Sequence, residues 1–443
     1  MNPVGLVIIA GTVLFPAYQL FTLPNIDDKV ALFSQFLGLT ALILMAWGQI
    51  LSTRVRGIET IFGGLDRVYV LHKWAGIIAM TALLLHDTID ADMRGLGRET
   101  ALNELAETLG EISLYGLLIL VVVSVATFVP YHLWKWTHKA MGVLFAAGAF
   151  HFCFIMKPFA MSDPAGMYTG FFCVAGLVAY IWMLLPETMR PSYEYRVTDI
   201  KRTGDALAIT MSPKGKVLKA VPGQFGVLRF EGAGTSEPHP FSFSKIGNEG
   251  QLRVTIKPLG DFTSDLMNTV AAEQDVRIQG PFGRFRHFGK TQQIWVAGGI
   301  GITPFLAWAH SLSENAEQVD LFYCVKSSDQ AAHLDELEKA AAEKTNFNLH
   351  LVESSKGQRL SADMIGKRVQ GDFSKIKVSF CGPSSLREAL KKGLSRFGIN
   401  ARNFHYEEFE FRTGIGLKAL AVWIMARKGA GVPNGFQENQ GRS

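Results

Sequence analysis

Four histidines inside two long apolar stretches are the residues of this sequence whose type and spacing best suit redox chemistry. His72 and His86 lie in one stretch with thirteen residues between them, and His138 and His151 lie in another with twelve between. At 1.5 Å rise per residue, each pair spans about 20 Å along a helix. An imidazole inside a membrane span is costly, and its presence there points to function. Two helices side by side would then offer two histidine levels. That arrangement suits two stacked haems, each iron held by one imidazole from each helix. Histidines merely packed against neighbouring carbonyls would not account for two pairs so nearly matched in separation.

The elements that must position them are six apolar stretches of about 20 residues, the length a bilayer core demands. They cover 3–22, 30–51, 68–88, 109–130, 136–156 and 166–185. Arg54, Arg56, Arg67 and Lys73 flank the second and third, Lys135 and Lys139 the fourth and fifth, and Arg190, Arg196, Lys201 and Arg202 follow the sixth. These ends are expected to be cytoplasmic by the positive-inside rule. The segment 87–111 carries seven acidic residues against Arg94 and Arg98, and is expected to face outward. Both termini and the rest of the chain then lie inside. His72 pairs with His138 at the inner level and His86 with His151 at the outer level. At about 100° per residue, His72 and His86 share a helix face, whereas His138 and His151 would stand about 140° apart. Either the fifth span is locally irregular, or its histidines reach their sites from different sides. Residues 100–109 form either a short amphipathic cap or a solvated outer loop.

The 443 residues accommodate two or three domains. The formal charge of +5 is explained by basic residues flanking spans, and no basic patch with interleaved aromatics indicates nucleic-acid binding. Cys153, Cys173, Cys324 and Cys381 form no C-x-x-C pair, which argues against zinc, iron–sulfur and disulfide frameworks. The N-terminus lacks the pattern of a cleaved signal peptide and reads as a retained span.

Beyond residue 190 the texture is that of a soluble protein. Short β-rich runs broken by Gly and Pro, from 193 to 279, predict an antiparallel barrel. Within it, His239, Pro240, Phe241, Ser242, Phe243 and Ser244 alternate aromatics with hydroxyls. Such a strand can pack one face on a flat ring and offer hydroxyls to a ribityl or phosphate chain. Ile256 and Lys257 lead through a turn at Gly260 into a helix start at Thr263, where backbone N–H groups could hold a pyrophosphate. Gly280-Pro281-Phe282-Gly283 closes the barrel.

From residue 293 strands and helices alternate. The first strand runs into Gly298, Gly299, Gly301, Thr303 and Pro304, a glycine loop that lets backbone approach a dinucleotide pyrophosphate. The second strand ends at Lys326-Ser327-Ser328, where an adenosine ribose would lie. A cation and hydroxyls there, with no acidic residue next in sequence, favour a 2′-phosphate and hence NADPH over NADH. Arg359 is a second candidate for that phosphate. A later strand ends at Cys381, Gly382 and Pro383, where a nicotinamide would sit.

Taken together, residues from about 30 to 412 resemble the membrane flavocytochromes of the NADPH oxidase and ferric reductase family. The matching features are the two histidine pairs, 239–244, 298–304, 381–383 and the aromatic run Tyr406-Glu407-Glu408-Phe409-Glu410-Phe411-Arg412. The soluble half alone resembles ferredoxin–NADP reductases. The resemblance implies FAD in the barrel, NAD(P)H in the Rossmann-like domain and two b-type haems in the spans. It also implies that Phe411, or else Phe409, shields the flavin until nicotinamide displaces it. Asp90 stands where animal oxidases carry a further histidine, and the chain continues past the aromatic run into an apolar stretch, 415–425, too short to span.

The expected architecture is a six-helix transmembrane bundle (1–188), an antiparallel FAD barrel (190–290), a Rossmann-like α/β NAD(P) domain (291–412) and a C-terminal extension (413–443). The expected activity is electron transfer from cytoplasmic NAD(P)H through FAD and both haems to dioxygen or a ferric chelate outside. One alternative is an electron-supply subunit feeding an extracytoplasmic partner protein, which nothing in the sequence specifically indicates. The other is a haem-free flavin reductase on a membrane anchor.

Overall fold

The computed structural model describes residues 3–23, 28–89, 100–125, 129, 131–186, 189–232 and 237–407. It divides into two compact units, the N-terminal helices and residues 188–409. The aromatic run from Glu408 to Arg412, with Phe409 and Phe411, lies outside the described residues, as do Asp90 and the 413–443 extension.

The N-terminal unit comprises α1 (Pro3–Phe21), α2 (Lys29–Ser52), α3 (Arg56–Phe62), α4 (Leu65–Thr88), α5 (Ala101–Val125), α6 (Tyr131–Phe154) and α7 (Pro164–Leu184). Side-chain chemistry sets the starts and stops. Asp28 caps α2, its Oδ1 accepting from the Val30 and Ala31 N–H groups at 2.9 and 3.0 Å. Gly63 and Gly64, both at positive φ, break α3 from α4, a backbone path that side chains disfavour. Apolar residues such as Val7, Ile119, Val122, Phe171 and Val178 point outward, as expected of helices solvated by lipid rather than water.

Two expectations are corrected here. Five of the described helices, not six, are long and apolar enough to cross a membrane by length and composition. The exception is α6, whose 24 residues suffice in length. Lys135, His138, Lys139 and His151 lower its hydropathy. Residues 101–109 form neither a separate cap nor a loop. They are the opening turns of α5, continuous with the fourth span.

In the second unit, β1 (Tyr193–Thr203), β2 (Ala206–Pro213), β3 (Phe225–Phe230), β4 (His239–Ile246), β5 (Leu252–Ile256) and β6 (Asp275–Phe282) close a barrel in the order β1-β2-β5-β4-β3-β6. Every described pairing among them is antiparallel. Tyr195, Val197, Ile209, Leu228, Phe230, Phe243, Val254 and Ile278 fill its interior. Helix α8 (Asp261–Thr269) follows β5.

A parallel five-stranded sheet completes the unit, in the order β11-β10-β7-β8-β9. Its strands are β7 (Gln293–Gly298), β8 (Val319–Val325), β9 (Phe347–Glu353), β10 (Lys377–Cys381) and β11 (Phe404–Glu407). Helices α9 (Thr303–Ser311), α10 (Leu334–Glu343), α11 (Ala362–Arg368) and α12 (Ser384–Leu394) connect them. The order reverses at β7, whose neighbours are β8 on one side and β10 on the other. The crevice beyond the carboxyl ends of these strands is the ligand position of doubly wound sheets.

Candidate functional site

In the helical unit all four histidines are oriented through the same ring atom. The Nδ1 of His72 lies 3.0 Å from the Gly48 carbonyl oxygen. That of His86 lies 2.8 Å from the Ser34 carbonyl oxygen and 2.9 Å from its hydroxyl. That of His138 lies 3.2 Å from the Ser124 hydroxyl, and that of His151 lies 2.9 Å from the Ala106 carbonyl oxygen. For His72, His86 and His151 the partner is a carbonyl, which only accepts, so Nδ1 carries the proton and Nε2 keeps its lone pair. That is the tautomer of a metal-ligating histidine fixed by an outer partner.

Helix α2 supplies both anchors for α4, and α5 supplies both for α6. Ala106 and Ser124 are eighteen residues apart, five full turns at 3.6 per turn, so one face of α5 serves both levels. Helix α6 runs unbroken from 131 to 154. The twelve-residue gap therefore involves no local irregularity, and the two side chains leave α6 at different azimuths. Glycines make room for three of the rings. A Cβ at Gly38 would stand 3.2 Å from the His86 ring, one at Gly48 3.8 Å from His72 and one at Gly110 2.5 Å from His151 Nδ1.

His72 and His138 are brought together, with ring centroids 5.9 Å apart and planes at 55°. An iron between two imidazole nitrogens at about 2 Å each would separate the centroids by roughly 6 Å. Trp134 stacks on His138 at 4.9 Å. Among the described residues no three His, Cys, Asp or Glu side chains cluster as a metal site. The donor set is thus paired imidazoles, which fits bis-histidine haem.

In the second unit the two barrel motifs meet. The His239 ring stacks on Phe262 at 3.6 Å with 6° between planes. Pro240 and Phe241 are half-buried on the same strand, and Ser242 is buried. Phe243 corrects the expectation that the aromatics of this strand face a flat ring: its ring is fully inside the barrel core. Ser244 is corrected similarly, its hydroxyl being engaged by Thr255 at 2.9 Å and by Arg253 Nε at 3.2 Å. Ile256 is core, while Lys257 pairs with Asp205 at 2.7 Å. The Thr263 hydroxyl accepts from the N–H groups of Leu259 and Gly260 at 2.9 and 3.1 Å, shaping the turn into α8.

Lys257, Gly299 and Lys326 line one cleft with Asp205, Tyr323 and Gln330. Sequence inspection missed Asp205, because a turn carboxylate gives no signal until the fold sets it beside Lys257. At the reversal point of the sheet, Gly298, Gly301, Gly382 and Pro383 are in close contact. A Cβ at Gly301 would meet the Cys381 carbonyl oxygen at 2.2 Å, and one at Gly298 would meet Pro383 at 2.6 Å. Thr303 and Pro304 start α9 there, the Thr303 hydroxyl donating to the Ile300 carbonyl at 3.2 Å.

Cys381 is buried and pairs in register with Glu407 of β11. Burial, and then the Glu407 carboxylate, push its thiol well above the usual range. It presents a neutral, polarisable surface rather than a thiolate. A Cβ at Gly283 would lie 3.1 Å from Glu407 Oε1, so the barrel exit adjoins this point. Lys326 and Ser327 end β8 as expected. The carboxylate that sequence order placed far away also arrives there: Glu353, at the end of β9, accepts from the Ser328 N–H at 2.9 Å and pairs with Lys356. Arg359 is exposed on the loop leaving β9.

Residues 37–149 match the family of the ferric reductase like transmembrane component, and residues 295–392 match the oxidoreductase NAD-binding domain. The chain has the architecture of the NADPH oxidase and ferric reductase superfamily. It is an oxidoreductase that joins a ferric-reductase-like helical domain to an NAD-binding domain.

Among curated relatives, the toluate 1,2-dioxygenase electron transfer component of Pseudomonas putida is 25% identical over 236 residues, covering 50% of this chain and 69% of that one. The carnitine monooxygenase reductase subunit of Escherichia coli is 36% identical over 140 residues, covering 31% and 40%. The FAD/NAD-binding domain of nitric oxide dioxygenase from Vibrio cholerae is 21% identical with a TM-score of 0.45, over 50% of this chain and 99% of that one. For three of the curated relatives the chain spans 56–69% of their length.

Proposed function

We propose that this protein carries electrons across a membrane, from cytoplasmic NAD(P)H through FAD and two b-type haems to dioxygen or a ferric chelate on the outer face. The observation that carries this reading is the shared Nδ1 anchoring of His72, His86, His138 and His151, which for the three carbonyl-bonded rings of His72, His86 and His151 leaves Nε2 as the ligand atom. When bound, the flavin accepts a hydride and the haems exchange single electrons. The chain holds, orients and shields them. His72 with His138, and His86 with His151, would hold the two haem irons. A haem held by two such imidazoles would offer its acceptor no open iron site.

On the nucleotide side, Gly298, Gly299 and Gly301 clear the backbone for the pyrophosphate. Lys257, the turn at Gly260 and the start of α8 take the flavin phosphates, with His239 and Ser242 beside them. Cys381, Gly382 and Pro383 present the nicotinamide at the reversal point of the sheet, with Phe411 in the shielding role. Lys326, Ser327 and Arg359 read the ribose phosphate. Because Lys356 offsets Glu353, the net charge at that end stays positive, which favours NADPH.

A reduced-minus-oxidised spectrum of the wild type against His72→Ala and His151→Ala tests the ligand assignment. Each variant should lose one haem, and undiminished haem in both would sink the reading. Superoxide formation with NADPH alone supports dioxygen as acceptor. Ferric-chelate reduction that persists without oxygen supports iron. A second reading, an electron-supply subunit, is favoured by relatives whose names describe electron transfer components and reductase subunits. It gains if the haems reduce but neither acceptor turns over.

A further inference from the structure

Behind the dinucleotide cleft lies a polar cluster that the proposed chemistry does not use. Glu336, in the first turn of α10, accepts four hydrogen bonds. Arg253 Nη1 and Nη2 reach its two oxygens at 2.8 and 2.9 Å. His333 Nδ1 lies 2.7 Å from Oε1, and His310 Nε2 lies 2.9 Å from Oε2. Burial opposes its charge, but the bonds from His310, His333 and Arg253 hold its carboxyl far below the usual range.

The partners come from both sides of the seam between barrel and nucleotide sheet. Arg253 and Thr255 belong to β5, whereas His310, His333 and Glu336 belong to α9, α10 and its N-cap. The other nitrogen of His333 lies 2.8 Å from Thr255 Oγ1, which lies 2.9 Å from Ser244 Oγ on β4. The His333 N–H also donates to Thr203 Oγ1 at 2.6 Å. A Cβ at Gly204 would meet the Gln330 carbonyl oxygen at 2.7 Å, so the β1–β2 turn grips the same segment.

The cluster is continuous with the cleft on both sides. Arg253 lies four residues before Lys257, and His333 directly follows Ala332, with Lys257, Gln330 and Ala332 all in the cleft lining. A half-buried charged cluster adds little stability over an apolar seam of the same size. What it adds is direction, because a bidentate arginine–carboxylate pair tolerates little rotation or sliding.

We propose that Arg253, His333 and Glu336 form a latch that fixes the angle between the flavin barrel and the nucleotide domain, making Glu336 a positioning residue for hydride transfer. The proposal rests on the flavin and nucleotide sites described above. Hydride transfer is sensitive to ångström displacements, of the kind that cost about a hundredfold in rate. Oxidation of the reduced flavin by a small soluble oxidant does not depend on the nucleotide domain.

The test uses the full-length, FAD-loaded protein in detergent. Anaerobic stopped-flow absorbance follows flavin bleaching by NADPH and by NADH. A second experiment follows reoxidation of photoreduced protein by ferricyanide. Wild type that binds no FAD, or is not bleached by either nucleotide, removes the underlying reading and the latch with it. In Glu336→Gln, FAD content and ferricyanide reoxidation should be unchanged. The limiting bleaching rate should fall by ten- to a hundredfold, with less change in the half-saturating nucleotide concentration. Arg253→Lys, which keeps the charge but loses the fork, should fall between. A wild-type bleaching rate in Glu336→Gln, or an equal fall in both half-reactions, overturns the proposal. If Glu336→Gln does not fold, the apolar double variant Arg253→Met/Glu336→Met takes its place, and it should show the same selective slowing. Failure of that variant also to retain FAD would make the cluster structural and overturn the positioning role.

Discussion

The two histidine pairs are held by different means. His86 and His151 both bond to backbone carbonyls, of Ser34 and Ala106, and each has a glycine pressed against its ring, Gly38 and Gly110. In the other pair only His72 bonds to a carbonyl, that of Gly48, whose Cβ position leaves ordinary contact distance. His138 depends on the Ser124 hydroxyl and the stacked Trp134. A carbonyl on a packed helix cannot rotate away, whereas a serine hydroxyl can. The His86 and His151 rings are therefore fixed, whereas the His138 ring can adjust.

The most damaging way to probe this contrast is to remove a proposed haem ligand from each pair. His151→Ala and His138→Ala should each abolish one haem completely, measured as haem per polypeptide in purified protein. If the levels are independent, each variant keeps the other haem. Next in size is Gly110→Ala. Its Cβ would sit 2.5 Å from His151 Nδ1, so ring and helix must part. Haem affinity at that level should fall by about 10–100-fold, the range for losing an outer partner, with the other level unchanged. Retention of both haems with unaltered spectra would show that the close glycine contact does not constrain the ring.

Gly38→Ala should have a smaller effect. At 3.2 Å the His86 ring has to give by a few tenths of an ångström, and a modest shift in the reduced haem absorption is expected without haem loss. Ser124→Ala sharpens the comparison at its weak end. It removes the one hydroxyl anchor, and haem affinity at the His72–His138 level should fall by about tenfold or less. A larger loss than in Gly110→Ala would reverse the ranking of the two levels.

The same contrast explains what could be read in advance. The histidine pairs were visible because an imidazole is conspicuous among apolar residues and helical rise is constant. Their anchors were not, because Gly48, Ser34 and Ala106 contribute backbone oxygens, and every residue has one. The tight glycines were equally hidden, since a glycine in an apolar helix has no distinctive signal without its neighbour. In the soluble half, the glycine loop and Cys381-Gly382-Pro383 were legible as strand ends. Glu353 was not, because parallel strands align the end of β9 with the end of β8 across a sequence gap of about one βα unit.

By itself the sequence determined the order of the parts: apolar helices carrying paired histidines, a β-rich stretch and an alternating α/β stretch. Composition and period are local properties, and local properties survive without a fold. The tertiary structure alone decided which ring nitrogen His72, His86 and His151 leave available and which carboxylate reaches which strand end. It also decided that β5 and α10 share a half-buried ion cluster around Glu336. Those depend on contacts between residues tens of positions apart, whose partners no local pattern specifies.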